Sequence, residues 1–208
     1  MKNKNNISDL ILSMDTNINL NLKKIKRHFG TLNYNGEDNQ SILHILVDKK
    51  YDEEKTFYAI TSLLNAGISP NLKADFNYNF IQTALYAGYS ENFILKLIKE
   101  SLKYDLDVNH VDEDGDTIVH TAIYSDDYIG LVYTIYKLLL ENGFDSRIKN
   151  KNGYSILTVL NDTKNMKKTF SKEQTNILEK MYKESIEQFE ESDQLYEEVK
   201  REKKLIKL

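Results

Sequence analysis

Thr117-Ile118-Val119-His120-Thr121-Ala122 is one of four six-residue segments that recur at a spacing of 38 residues. The others are Ser41-Ile42-Leu43-His44-Ile45-Leu46, Asn79-Phe80-Ile81-Gln82-Thr83-Ala84 and Ser155-Ile156-Leu157-Thr158-Val159-Leu160. A fixed period of this size predicts stacked repeating units rather than one globular core. Such an array offers a long surface for holding partners and rarely a catalytic cleft.

Each column of the register has a physical reason. The first column (Ser41, Asn79, Thr117, Ser155) carries side-chain oxygens that can cap a helix N-terminus. The next two columns are apolar, and Leu46, Ala84, Ala122 and Leu160 return an apolar residue four positions after the first of them, which predicts one buried helical face. Turn signals precede each cap: Asp38-Asn39, Phe76-Asn77, Asp114-Gly115 and Asn152-Gly153. Later in each unit Phe57, Leu95 and Tyr133, then Ile60, Ile98 and Tyr136, then Leu64, Leu102 and Leu140 predict a second amphipathic helix. Gly67 and Gly143 suit a left-handed C-cap, and Asp105 takes that place in the second unit. Asn71 and Asn109 share a column in the exit loop.

These residues resemble the ankyrin repeat family, whose pattern is a Gly turn, Thr-Pro-Leu-His-x-Ala and a later Leu-Leu-x-x-Gly followed by Asn. Thr117 to Ala122 with Leu139-Leu140-Glu141-Asn142-Gly143 match it best, then Ser41 to Leu46 with Leu63-Leu64-Asn65-Ala66-Gly67. Two departures stand out. Ile or Phe replaces the motif's proline in every unit, and each unit exceeds the usual period of about 33 residues by about five. The extra length falls between the start of the first helix and the end of the second. The resemblance implies an all-α solenoid of helix-turn-helix units with hairpin-like turns, a degenerate N-terminal cap and a long C-terminal helix. The corresponding boundaries are a cap over 1–34, repeats over 35–168 (about 35–73, 74–111, 112–149 and 150–168) and a capping helix over 169–208. At the ends, Leu10, Ile11 and Met14 suit a short opening helix, and Ser171-Lys172-Glu173-Gln174 reads as a capping box for the last one.

Composition narrows the function classes. The 208 residues contain no cysteine, which excludes disulfides and cysteine-based metal sites or nucleophiles. Abundant Lys, Asn and Ile with a single Pro suggest an AT-rich genome, read as bacterial. No apolar run approaches the roughly 18 residues that span a membrane, and a cytoplasmic protein without membrane association is expected. A net charge of −4 and no basic stripe argue against nucleic acid. No phosphate loop, nucleophile elbow or His-Glu-x-x-His occurs. Asp112-Glu113-Asp114-Gly115-Asp116 lacks the glycine and glutamate positions of a calcium loop and reads as an acidic hairpin tip. The resemblance assigns His44 and His120 to tying one repeat's turn to its neighbour. No enzyme activity, cofactor or metal is expected.

Binding is the expected role. The resemblance places a partner on the concave side, built from hairpin tips and first helices. The candidate contacts are Glu37, Asp38, Phe76, Tyr78, Tyr86, Tyr89, Asp112, Glu113, Asp114, Asp116, Tyr124, Asp126, Asp127 and Tyr154. Tyr86 and Tyr124 share a column, as do Tyr51 and Tyr89, and each pair is either core packing or a row of aromatic anchors. Acidic tips favour a protein partner with a basic surface, held by a monomer. A bacterial immunity or antitoxin protein is one such role. An effector or scaffold that binds a host protein, with the C-terminal helix as a second element, is the other.

Overall fold

The computed structural model describes residues 40–125 and 129–156, together with 158, 159, 176, 177, 179–181, 183, 184, 186, 187 and 190. The expected N-terminal cap and most of the C-terminal helix lie outside these residues. The chain divides into two compact units between Phe144 and Asp145.

Among the described residues of the first unit three helix pairs follow one another: α1 (Ile42–Asp48) and α2 (Glu53–Asn65), α3 (Phe80–Tyr86) and α4 (Glu91–Leu102), α5 (Ile118–Tyr124) and α6 (Ile129–Leu140). Each first helix is only seven residues, two turns, while the second has 12 or 13. The added length of the repeat therefore resides in the second helix and the connection before it.

A two-turn helix is unstable alone and persists by packing. Packing is what the apolar columns provide: Ile42, Leu43, Phe80, Ile81, Ile118 and Val119 are all buried. First helices pack in a row, α1 on α3 and α3 on α5, while α2 packs on α4 in a second row. Ile60, Leu63, Leu64, Ile94, Leu97, Ile98, Val132, Ile135, Tyr136 and Leu139 fill the space between rows. Each such side chain contributes on the order of 1.5–3 kcal/mol by leaving water.

Caps follow the predicted columns with one exception. Asn79 accepts from the backbone N–H of Gln82 at 2.9 Å while the Gln82 side chain accepts from the Asn79 N–H at 3.2 Å, a reciprocal capping box. Thr117 and His120 form the same box, with imidazole Nδ1 in place of a carboxamide oxygen. Ser41 does not cap α1. Its hydroxyl lies 2.6 Å from Nδ1 of His44 instead, so the serine serves the histidine. At the far end, α2 closes in a Schellman arrangement: Ile68 N–H donates to Leu63 C=O and Gly67 N–H to Leu64 C=O. Gly67 and Gly143 have φ of 92° and 88°, and Asp105 holds the same place at 58°.

In the second unit a turn at 150–154 repeats the geometry of 112–116. Asn150 Oδ1 accepts from the N–H groups of Asn152 and Tyr154, each at 3.0 Å, and Asn150 N–H donates to Tyr154 C=O. Ser155 then caps from the predicted column by accepting from Thr158 N–H at 3.4 Å. The described residues between 176 and 190 are helical, with Met181 fully buried.

Candidate protein-interaction surface

Polar ties between repeats fix where the tips stand. His44 Nε2 lies 3.0 Å from Tyr78 C=O. A carbonyl only accepts, so Nε2 carries the proton and Nδ1 accepts from Ser41. Burial pushes this imidazole down to about pKa 4, so it is neutral at pH 7. One period later Gln82 makes the equivalent bond, Nε2 to Asp116 C=O at 3.0 Å, and also reaches Asp112 Oδ2 and Thr121 Oγ1, each at 3.1 Å. A second ladder uses the exit-loop asparagines. Asn71 Nδ2 donates to Asp105 C=O at 2.8 Å, and Asn109 Nδ2 to Gly143 C=O at 3.0 Å. A third clasp joins adjacent tips: Glu113 N–H donates to Phe76 C=O at 2.8 Å, Asn77 Nδ2 to Val111 C=O at 2.7 Å, and His110 Nε2 to Asn77 C=O at 2.6 Å.

The tip of the second repeat is a hairpin, closed by Ala74 N–H donating to Tyr78 C=O at 2.9 Å and by an antiparallel bridge between Lys73 and Asn79. Phe76 and Asn77 both have positive φ, 57° and 63°. Asn tolerates that region. A bulky aromatic does not, so Phe76 is an outlier. Its side chain gains little in return, being 64% exposed. Its ring lies 6.1 Å from that of Tyr78, which meets the ring of Tyr86 edge-on at 5.3 Å. Tyr86, the last residue of α3, reaches Tyr78 because helical side chains lean toward the N-terminus. Burial of its hydroxyl, then the neighbouring Tyr78, raises Tyr86 to about pKa 12.

The sequence-derived contacts separate accordingly. Phe76, Tyr86, Glu113, Asp114 and Tyr124 are exposed, and Tyr78 and Asp116 are half-buried. Tyr154, in the second unit, is also exposed. Two candidates point inward instead. Tyr89 is 2% exposed, stacked on Phe93 at 4.3 Å, with its hydroxyl donating to Leu46 C=O at 3.4 Å. It is a core residue, its ring packed on α4 and its hydroxyl tied to α1. Asp112 is 5% exposed, and Oδ1 accepts from the N–H groups of Asp114 and Asp116, each at 2.9 Å. It is the brace inside the tip, not its surface, and burial raises its pKa. Glu37, Asp38, Asp126 and Asp127 lie outside the described residues.

The chain shares 28% identity over 166 residues with an ankyrin repeat domain-containing protein of monkeypox virus, OPG015, covering 78% of this chain and 35% of the relative. The chain is similar in sequence to ankyrin repeat proteins, and its stacked helix pairs form an all-α array of the ankyrin kind. A second monkeypox ankyrin repeat domain-containing protein, OPG023, is 34% identical over 74 residues, 35% of this chain and 10% of its own length. A putative ankyrin repeat protein of Acanthamoeba polyphaga mimivirus, L91, is 36% identical over 66 residues, 32% of this chain and 10% of the relative. The chain thus spans a tenth to about a third of the length of these relatives. No protein-family model matches it. These relatives are viral, whereas codon bias alone suggested a bacterial source.

Sequence reasoning missed Gln82 as a tie between repeats, although it occupies the histidine column and an amide can donate as an imidazole does. It also missed a charge signal. From Tyr104 to Tyr136 there are eight Asp or Glu and no Lys or Arg. Among the described residues no group of three or more acids and histidines is arranged to hold a metal ion, and no helix is long and apolar enough to cross a membrane.

Proposed function

We propose that this ankyrin array is a non-enzymatic module that holds one protein partner on its hairpin tips and first helices, and that the partner's contacting surface is basic. The observation that carries this reading is the juxtaposition of the exposed rings of Phe76 and Tyr86, linked through Tyr78, with Glu113, whose N–H donates to Phe76 C=O, and the adjacent Asp114, both with exposed side chains. Aromatic residues anchor interfaces, and charge around them selects the partner and speeds its capture. Viral relatives favour the reading in which the partner is a protein of an infected cell over the toxin-neutralising one.

The experiment is affinity capture from an infected or host-cell extract with the wild-type chain and with Glu113→Lys/Asp114→Lys. Both side chains are exposed, so the variant folds. A protein bound by the wild type and lost from the variant, with binding weakened by salt, supports the reading. Identical captures by both chains refute it.

A further inference from the structure

The ring cluster at the second tip has features that fold stability does not account for. Phe76 adopts φ 57° in a position where the equivalent residues of the next two tips are Asp114 and Asn152, both short and polar. Its side chain is 64% exposed, so packing does not compensate the backbone conformation. Strained residues of this kind persist where they serve a site. Phe76, Tyr78 and Tyr86 form a continuous chain of rings, held at 6.1 and 5.3 Å between centroids.

Charge around the rings selects what sits on them. The bond from Glu113 N–H to Phe76 C=O sets Glu113 and Asp114 beside the cluster, and Asp75 precedes Phe76 in the same turn. All three are exposed. Asp112 is near enough to Tyr86 for its charge to raise the phenol's pKa. Lys73, at the foot of the hairpin, acts electrostatically on His110. An aliphatic side chain laid on the rings would desolvate these carboxylates without pairing them, and a phosphate would be repelled. A cation satisfies both parts, because ring faces attract positive charge and the carboxylates complement it. Between the two cationic side chains, the planar and weakly hydrated guanidinium stacks on rings while offering its N–H groups to carboxylates at the edge.

We propose that Phe76, Tyr78 and Tyr86, flanked by Asp75, Glu113 and Asp114, form a receptor for an arginine side chain on a basic segment of the partner protein. This rests on the tips being the interaction surface, and it makes a claim that general acidity does not: arginine is preferred over lysine, and the preference resides in the rings.

The test uses three labelled peptides in which glycine alternates with arginine, with lysine or with the neutral isostere citrulline. Fluorescence anisotropy is measured against the wild type, Phe76→Gly and Glu113→Gln/Asp114→Asn, with thermal melts to verify folding. The arginine peptide is expected to bind the wild type about 3- to 10-fold more tightly than the lysine peptide. Phe76→Gly abolishes that preference by lowering the arginine affinity more than the lysine affinity. Glu113→Gln/Asp114→Asn weakens both cationic peptides, and citrulline binds least. Equal affinity for arginine and lysine peptides, unchanged in Phe76→Gly, overturns the arginine receptor while leaving an acidic interaction surface intact. If neither cationic peptide binds the wild type, the receptor is likewise overturned, and the capture experiment then judges the interaction surface on its own.

Discussion

Replacing Gln82 by Leu removes one of the side chains that join the second repeat to the third. The amide nitrogen has two hydrogens and three acceptors within 3.0–3.1 Å: Asp112 Oδ2, Asp116 C=O and Thr121 Oγ1. At most two full bonds exist at once. The bond to a carboxylate contributes about 1.5–3 kcal/mol and the neutral one about 1 kcal/mol. The oxygen side adds the capping bond from Asn79 N–H, about 0.5–1 kcal/mol. Leucine has nearly the volume of glutamine and recovers about 1 kcal/mol of burial. The expected net loss is about 3 kcal/mol, a large fraction of the roughly 5–15 kcal/mol that stabilises a domain. Urea unfolding followed by circular dichroism reads it. Gln82→His restores one bond to the neighbouring carbonyl, as His44 shows by reaching Tyr78, and recovers part of the loss. Asp112, losing a donor, has its pKa raised further, which carboxyl-detected NMR titration reads. A Gln82→Leu protein within about 0.5 kcal/mol of the wild type refutes the assignment of Gln82 as a tie between repeats.

Other outcomes follow from the same geometry. His44 has a folded pKa of about 4 against 6.5 unfolded, so the unfolded state binds the proton first. Its contribution is complete above pH 6.5 and is lost as pH falls toward 4, about 3 kcal/mol in all, and His110, also lowered, acts in the same direction. Urea midpoints across that range measure the slope, and His44→Gln is expected to reduce it. Phe76→Gly relieves a left-handed aromatic and raises stability by about 1 kcal/mol, seen as a higher melting temperature; a lower one refutes the strain. Tyr89→Ala empties a buried site and costs about 3–5 kcal/mol, whereas Tyr124→Ala, at an exposed ring, costs less than about 1 kcal/mol. Comparable losses in chemical denaturation contradict that division.

The register made the helices legible because burial and helical period act on every unit alike. Ile42, Phe80 and Ile118 had to share a fate, and so did Gly67, Asp105 and Gly143, whose φ angles agree in sign despite the aspartate. Single side chains that leave the common pattern were not legible. Asp112 looks like any surface acid until the N–H groups of Asp114 and Asp116 are found to need an acceptor. Tyr89 and Tyr86 are both tyrosines near the end of a short helix, yet the first is buried against Phe93 and the second is exposed. Nor does periodicity report the sign of φ, so the strain at Phe76 emerged only from the backbone.

The ladders from His44 to Tyr78 C=O, Gln82 to Asp116 C=O, and Asn71 and Asn109 to Asp105 and Gly143 C=O have one consequence for how such an array can change. Each donor reads its neighbour through the main chain, which every residue type supplies. A repeat can therefore be duplicated, or its tip rewritten, without a matching change in the repeat before it. Recognition can drift at the tips while these ladders stay the same; the joints that depend on particular side chains are Gln82 with Asp112 and Thr121, Ser90 with Glu53, and Tyr104 with Asn65.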